Sequence, residues 1–219
     1  MSSNKGLETL GHYIGGRESF GVGIGIDSGE TLDVYNPATG KVSKKLSCAG
    51  SAELEEAITT ASIAFAAWRN TPPQKRAQVL FRFKQLLEAN ADDICAAITA
   101  EHGKVLDDAR GELIRGIEVV EYACGISELL KGEHSKNAGP EIDSWSEFQA
   151  LGIVAGITPF NFPAMVPMWM VPMAIACGNT FILKPSERDP SAALLLAKLF
   201  TEAGLPSGGF NVVHGDRRV

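Results

Sequence analysis

No residue between Glu147 and Lys184 carries a charge, and a run of that length belongs either in a protein core or in a bilayer. Its breakers decide between the two. Pro159, Pro163, Pro167 and Pro172, together with Gly152, Gly156 and Gly178, are more than one membrane-spanning helix accommodates, so no membrane partner is expected. The run reads instead as alternating core elements. LGIVAGI, from Leu151, is a continuous apolar strand, expected to be buried on both faces of a parallel sheet. Pro163 opens a helix that runs to about Ala176 and closes at Gly178. TFILK is a second buried strand, Pro190 to Ala203 a second helix ended by Gly204, and FNVVHG a third strand. That order predicts an α/β fold and the start of a doubly wound parallel sheet.

Upstream, HYIGG, TLDVYNPATG and KVSKKLSCAG read as short strands broken by Gly, Asn and Pro turns. GVGIGIDSG, with glycines at 21, 23 and 25, has the look of a dinucleotide fingerprint but the wrong context. No buried strand precedes it and no helix-forming run follows, so it reads as a surface hairpin. Helices come next. Ser51 is a candidate cap for a helix with Leu54, Ala57, Ile58, Ala61, Phe65 and Trp68 on one face. Thr71 is a candidate cap, with Pro72 and Pro73 as first turn, for a second helix over Gln74 to Ala89, striped by Val79, Leu80, Phe83, Leu86 and Leu87. A third spans about Asp92 to Glu101 and stops at Gly103. A fourth spans Leu106 to Leu130, with Leu113, Ile117, Val120 and Cys124 inward and its acidic residues outward. The polar stretch Gly132 to Ser146, with Gly139-Pro140, reads as a turn leading into a hairpin strand.

Composition excludes several function classes. A net charge of −6 over 219 residues gives a phosphate backbone nothing to bind, so nucleic acid is not an expected partner. Cys48, Cys95, Cys124 and Cys177 are far apart and fit neither a CxxC nor a zinc pattern, so no metal is expected and the thiols read as buried and reduced. MSSNKGLETLGHY has no apolar core of a secretory signal, which makes the cytoplasm the expected location.

In a doubly wound sheet the binding crevice is built from loops at the carboxyl ends of the strands. Two loops qualify here, ITPFNFP after the first strand and LKPSERDP after the second, and prolines stiffen both. In the first, Asn161 stands between two phenylalanines and two prolines. Its side-chain NH₂ suits an oxyanion hole, in which fixed donors meet charge that develops in a transition state. The alternative is an Asn capping the following helix. In the second loop, Lys184 and Glu187 can bind a ribose or simply pair with each other.

Those two loops and their surroundings resemble the aldehyde dehydrogenase superfamily. ITPFNFP, ACGNTFILKPSE and EAGLPSGGFNVVHG carry the resemblance in order and spacing, and NPATG with the helix ending AFAAW belongs to the same pattern. The likeness covers nearly the whole chain. It is closer still to the CoA-acylating methylmalonate-semialdehyde dehydrogenases, through FNFPAMVPMWMVPMAIACGNTFILKPSER, RGIEVVEYACG and the use of Phe160 where most of the superfamily has Trp.

The resemblance implies an aldehyde-dehydrogenase-like, Rossmann-type parallel sheet preceded by strands and helices. Residues 1–131 would be the first part of an NAD-binding domain, 132–150 the start of an oligomerisation hairpin, and 151–219 the first βαβαβ of the sheet. It implies NAD as cofactor, CoA as co-substrate, a small aldehyde such as methylmalonate or malonate semialdehyde as substrate, and a homo-oligomer. Asn161 would be the oxyanion donor, Thr158 and Phe160 would line the nicotinamide side, and Lys184 and Glu187, with Arg188 beside them, would meet the adenosine ribose. Arg115 would hold the substrate carboxylate, a pairing that suits a guanidinium fork. Without the resemblance, Arg115 reads as a solvated arginine paired with Glu112 or Glu118.

The family's nucleophilic cysteine would lie downstream of FNVVHG, and nothing here corresponds to it. Cys177, in AIACGNT, is in a packing position without an activating base. The chain therefore reads as the N-terminal part of a longer enzyme, inactive alone, with FNVV expected as an uncovered edge strand. Two other readings stay open: a hydrolytic aldehyde dehydrogenase, and an inactive fragment that only associates with other subunits.

Overall fold

The computed structural model describes residues 7–20 and 30–219, so GVGIGIDSG lies outside the described residues. Three short strands open the chain: β1 (Glu8–Leu10), β2 (His12–Ile14) and β3 (Arg17–Ser19). After them come β4 (Thr31–Asn36) and β5 (Lys41–Ser47). Helices follow as α1 (Ser51–Trp68), α2 (Pro73–Ala89), α3 (Ala91–His102), α4 (Leu106–Cys124) and the single turn α5 (Ile126–Leu129). A hairpin, β6 (His134–Gly139) and β7 (Ile142–Trp145), leads to the alternating segment. That segment comprises β8 (Ile153–Ile157), α6 (Met165–Ala176), β9 (Thr180–Lys184), α7 (Ser191–Glu202) and β10 (Phe210–Val212).

The main sheet has the order β3-β2-β10-β9-β8, in which β8, β9 and β10 run parallel. Alternation along β9 sends Phe181 and Leu183 to the larger core and Ile182 to the smaller one. In the larger core they meet residues of α6 and α7, backed by α2, α3 and α4. In the smaller they meet Ala57 and Ala61 of α1. The sheet is thus covered on both faces where β9 and β10 run through it, which is why those strands read as continuous apolar runs.

Three expectations about the sheet and helix edges are corrected. β10 is not an uncovered edge, because β2 pairs with it antiparallel through Val212 and Tyr13, while β9 holds its other side. Among the described residues the unpaired parallel edge is that of β8. Its strand is not buried on both faces either: Ile153 is 37% and Ile157 75% exposed. The fourth helix breaks after Cys124 at Gly125, a poor helix residue, and resumes as α5.

Helix starts also shift. Gly50, not Ser51, is the N-cap of α1, and its N–H donates to the Glu53 carboxylate at 2.8 Å. Pro72, not Thr71, caps α2, which begins at Pro73. On α1 the buried face is Ala57, Ala61, Ala64 and Trp68, while Ile58 is 43% exposed and Phe65 only half-buried. Small residues face inward there, allowing the helix to lie close on the sheet.

Candidate active site

The segment 158–165 joins β8 to α6 and is held at both ends. Thr158 is buried and its N–H donates to Lys184 O at 3.1 Å, tying the loop after β8 to the end of β9. At the other end the N-cap of α6 is Ala164, which offers no side-chain cap. Glu112 of α4 supplies that function: its Oε1 accepts from Ala164 N at 2.8 Å and from Met165 N at 3.1 Å. Glu112 is completely buried, correcting the expectation that the acidic residues of this helix all point outward. Its Oε2 accepts from Lys104 Nζ at 2.5 Å, and Lys104 also donates to the Asn161 carbonyl at 3.0 Å.

The far end of α6 is gripped as well. Trp68 Nε1 donates to Ile175 O at 2.9 Å, and the buried Arg76 Nε donates to Ala176 O at 2.7 Å. Side chains from three other helices therefore satisfy backbone groups that a helix leaves open at its ends.

Asn161 does not cap α6. It is exposed, and its side-chain amide makes no hydrogen bond among the described residues. Its two aromatic neighbours point to different partners. Phe160 is 44% exposed, with the Arg188 guanidinium 4.7 Å above its ring and His102 stacked at 6.3 Å. Phe162 packs between Lys104, 4.5 Å from its ring centre, and Arg115, 5.5 Å away. Asn161 thus sits where the two flanks meet.

On the Phe160 flank lies a cavity of about 830 Å³, lined by Phe160, Glu187 and Arg188 together with His102, Asp189 and the strand residues around Asp33. Lys184 Nζ pairs with Glu187 Oε2 at 3.2 Å, so without a ligand the two make the ion pair that was one of their expected alternatives. A ribose hydroxyl could donate to the same carboxylate, and the cavity has the volume of a cofactor-sized site. Asp189 is only 2% exposed, and among the described residues neither of its oxygens meets a donor of good geometry. Burial pushes its carboxyl up to about 7, part-offset by the Ser186 hydroxyl and reinforced by Glu101 and Glu112.

On the Phe162 flank, Arg115 is exposed and pairs with neither Glu112 nor Glu118. Its Nε donates to Gly111 O at 3.3 Å, and among the described residues it has no carboxylate partner. Its charge is free to meet an anion from solution. The structure therefore gathers Phe160, Lys184, Glu187 and Arg188 on one flank and Arg115 on the other, with Asn161 between and Thr158 beneath. Lys104, Glu112, Glu101, His102 and Asp189 escaped the sequence reading. Only Glu112 left a clear signal, a charged residue in the inward stripe Ala109, Leu113, Gly116 and Val120.

No thiol here is prepared for attack. Burial raises the Cys177 thiol against the opposing pull of Arg76 and pushes Cys124 up to about 11; Cys48 and Cys95 are also raised, mainly by burial. Among the described residues no cluster of three or more His, Cys, Asp or Glu could hold a metal ion. Nor is any described helix long and apolar enough to cross a membrane.

Comparison with known proteins gives the family. Residues 26–219 match the profile of the aldehyde dehydrogenase family. A malonate-semialdehyde dehydrogenase of Pseudomonas aeruginosa is 63% identical over 96% of this chain and 41% of its own length. The crystal structure of methylmalonate-semialdehyde dehydrogenase (DddC) from Oceanimonas doudoroffii superposes with a TM-score of 0.93 at 60% identity, covering 96% of this chain and 42% of that one. A Sinorhizobium meliloti 1021 structure complexed with NAD, provisionally named methylmalonate-semialdehyde dehydrogenase, gives 0.94 at 48% identity over 98% of this chain and 43% of that one. The chain spans about two-fifths of the length of these relatives. It belongs to the aldehyde dehydrogenase family.

Proposed function

We propose that this chain supplies the cofactor flank and the oxyanion donor of an NAD-dependent, CoA-acylating dehydrogenase acting on malonate or methylmalonate semialdehyde. The observation that carries the reading is Asn161, exposed and unengaged at the carboxyl end of β8, between a cofactor-sized cavity and an unpaired arginine. The names of the relatives support the substrate class, and the NAD complex of one of them supports the cofactor.

On this reading Arg115 pairs with the carboxylate at the far end of the semialdehyde, in the fork geometry that favours Arg over Lys. As a thiol adds to the aldehyde carbon, its oxygen gains negative charge and Asn161 Nδ2 donates to it. Glu187 accepts from ribose hydroxyls, Lys184 holds Glu187 in place, Arg188 stands beside them, and Thr158 and Phe160 form the wall on the nicotinamide side. NAD, when bound, takes up the hydride leaving that carbon, and CoA then takes the acyl group as a thioester. The attacking thiol is none of the four in this chain, since burial raises every one of them and none has an activating cation or base strong enough to reverse that. The isolated chain is therefore expected to bind NAD without turning over aldehyde. The hairpin β6–β7, with Ile142 59% and Trp145 69% exposed, suits contact with a second copy of the chain.

The test is an NAD titration followed by an NADH assay with malonate semialdehyde, with and without CoA, on the 219-residue protein and on a longer protein carrying this sequence. The expected result is NAD binding by both and CoA-dependent NADH formation by the longer one. No NAD binding by either would overturn the cofactor assignment. NADH formed by the 219-residue protein would overturn the claim that it lacks a nucleophile.

A further inference from the structure

We infer that Lys104 and Glu112 are positioning residues that aim Asn161, an inference that rests on the oxyanion role proposed above. A buried carboxylate is costly unless both its oxygens are occupied. Glu112 meets that condition fully, with Ala164 N and Met165 N on Oε1 and Lys104 Nζ on Oε2. Capping α6 and neutralising the carboxylate would need no more than that. Yet the same ammonium makes a further hydrogen bond to the carbonyl of Asn161 and lies over the ring of Phe162, the next residue.

The consequence concerns direction. Among the described residues no hydrogen bond holds the exposed Asn161 side chain, so its aim follows from its own backbone. That backbone is anchored at Thr158 N on Lys184 O, at Asn161 O on Lys104, and at Ala164 N and Met165 N on Glu112. Among the described residues only the middle anchor acts on the carbonyl of Asn161 itself, the next carbonyl, Phe162 O, being held by Val166 N at 3.2 Å. Without Lys104 the backbone N–H groups of Thr158, Ala164 and Met165 keep their acceptors, whereas Glu112 Oε2 and the Asn161 carbonyl each lose a donor. A donor displaced from the developing oxyanion loses most of its value while ground-state binding barely changes.

The experiment is a double-mutant cycle of Lys104→Met and Asn161→Ala in the longer protein that forms NADH, with NAD affinity and aldehyde KM measured alongside kcat. Lys104→Met should lower kcat at least about 10-fold while KM and NAD affinity stay within about threefold, and Lys104→Arg should restore part of the loss. In the Asn161→Ala background, Lys104→Met should cost almost nothing further, because its effect runs through the missing amide. Losses that multiply in the double variant, or a matching fall in NAD affinity, would overturn the inference and leave Lys104 as part of the scaffold. Should Lys104→Met not fold, Lys104→Gln carries the same cycle.

If no protein carrying the sequence forms NADH, the proposed function fails, but the inference keeps its own readout. In the ¹⁵N spectrum of Asn-labelled 219-residue protein, Lys104→Gln should shift the side-chain amide of Asn161 and leave that of Asn211 in place. An unmoved Asn161 signal would overturn it.

Discussion

Glu101 and Glu112 stand at the heads of two different helices and play the same part in each. Glu112 accepts from the first N–H groups of α6, while Glu101 Oε2 accepts from Ser191 N at 3.0 Å at the head of α7. Each has a lysine: Lys104 for Glu112, and Lys44, 2.9 Å from Glu101. Both carboxylates come from the layer behind the sheet and fill helix N-termini that would otherwise attract an anion. The loops after β8 and β9 therefore present side chains, not open helix ends, to the solvent.

Glu101→Ala should destabilise the protein more than its single ion pair suggests. The substitution removes the acceptor for Ser191 N, Ser191 Oγ and Lys44 together, and the Glu101 side chain is only 2% exposed. Breaking a buried pair this way costs about 3–5 kcal/mol, and Lys44, still 26% exposed, should bring the loss toward the lower figure. Urea unfolding measures it. A loss under about 1 kcal/mol would mean that α7 does not depend on this cap.

Asp189 predicts a pH dependence of the opposite sense to an ordinary salt-bridged carboxylate. Its folded pKa of about 7 lies above the ordinary 3.8, so the folded state keeps a proton that the unfolded state has released. The group's contribution is complete below about pH 4 and is lost as pH rises through about 7. Asp189→Asn has no such proton to lose. Its stability should gain on the wild type by roughly 1.4 kcal/mol per pH unit between those limits and level off above them. A stability difference that stays flat from pH 5 to pH 8 would show that the carboxyl is solvated in the folded state.

Much of the α/β segment was legible because its physics is local. An uncharged run broken repeatedly by Pro and Gly divides into short core elements, as β9 and α6 are, although β8 at the sheet edge stays partly exposed, and the stripes of α2 and α4 follow directly from period. What escaped were relations between distant parts of the chain. That β2 covers β10, leaving β8 at the edge, depends on pairing His12–Ile14 with residues some two hundred positions away, and no local pattern records it. Phe65 reads as core by size, but the close approach of α1 to the sheet selects Ala64 instead. Asn161 was found because a lone polar residue among prolines and aromatics is conspicuous. Its supports were less so: Lys104 looks like an ordinary surface charge, and Glu112, although charged within an inward stripe, has no evident partner until the fold brings α4 against α6. The close fit of that contact is visible at Gly116, where an added methyl would collide with Met168 Cε.

The raised thiols predict slow alkylation. With Cys124 pushed up to about 11, only about one molecule in ten thousand carries its thiolate at pH 7, and burial restrains the other three in the same direction. Iodoacetamide at pH 7 should label all four far more slowly in the native protein than in urea, as followed by intact mass. A cysteine labelled within minutes in the native state would be an activated thiol and would reopen the question of the nucleophile.

Glu187→Gln separates the two readings of the Lys184–Glu187 pair. If the pair serves only the fold, its loss is a surface event: Glu187 is 40% exposed, and such pairs contribute about 0–1 kcal/mol. If Glu187 accepts from ribose hydroxyls, the amide keeps one acceptor but loses the charge that strengthens both hydrogen bonds. NAD affinity should then fall about 10-fold while the urea midpoint barely moves, and Lys184→Met should weaken NAD less than Glu187→Gln does. Fluorescence titration of NAD into the two variants and the wild type reads the difference. Unchanged affinity in Glu187→Gln would remove Glu187 from the cofactor site and leave it a surface partner of Lys184.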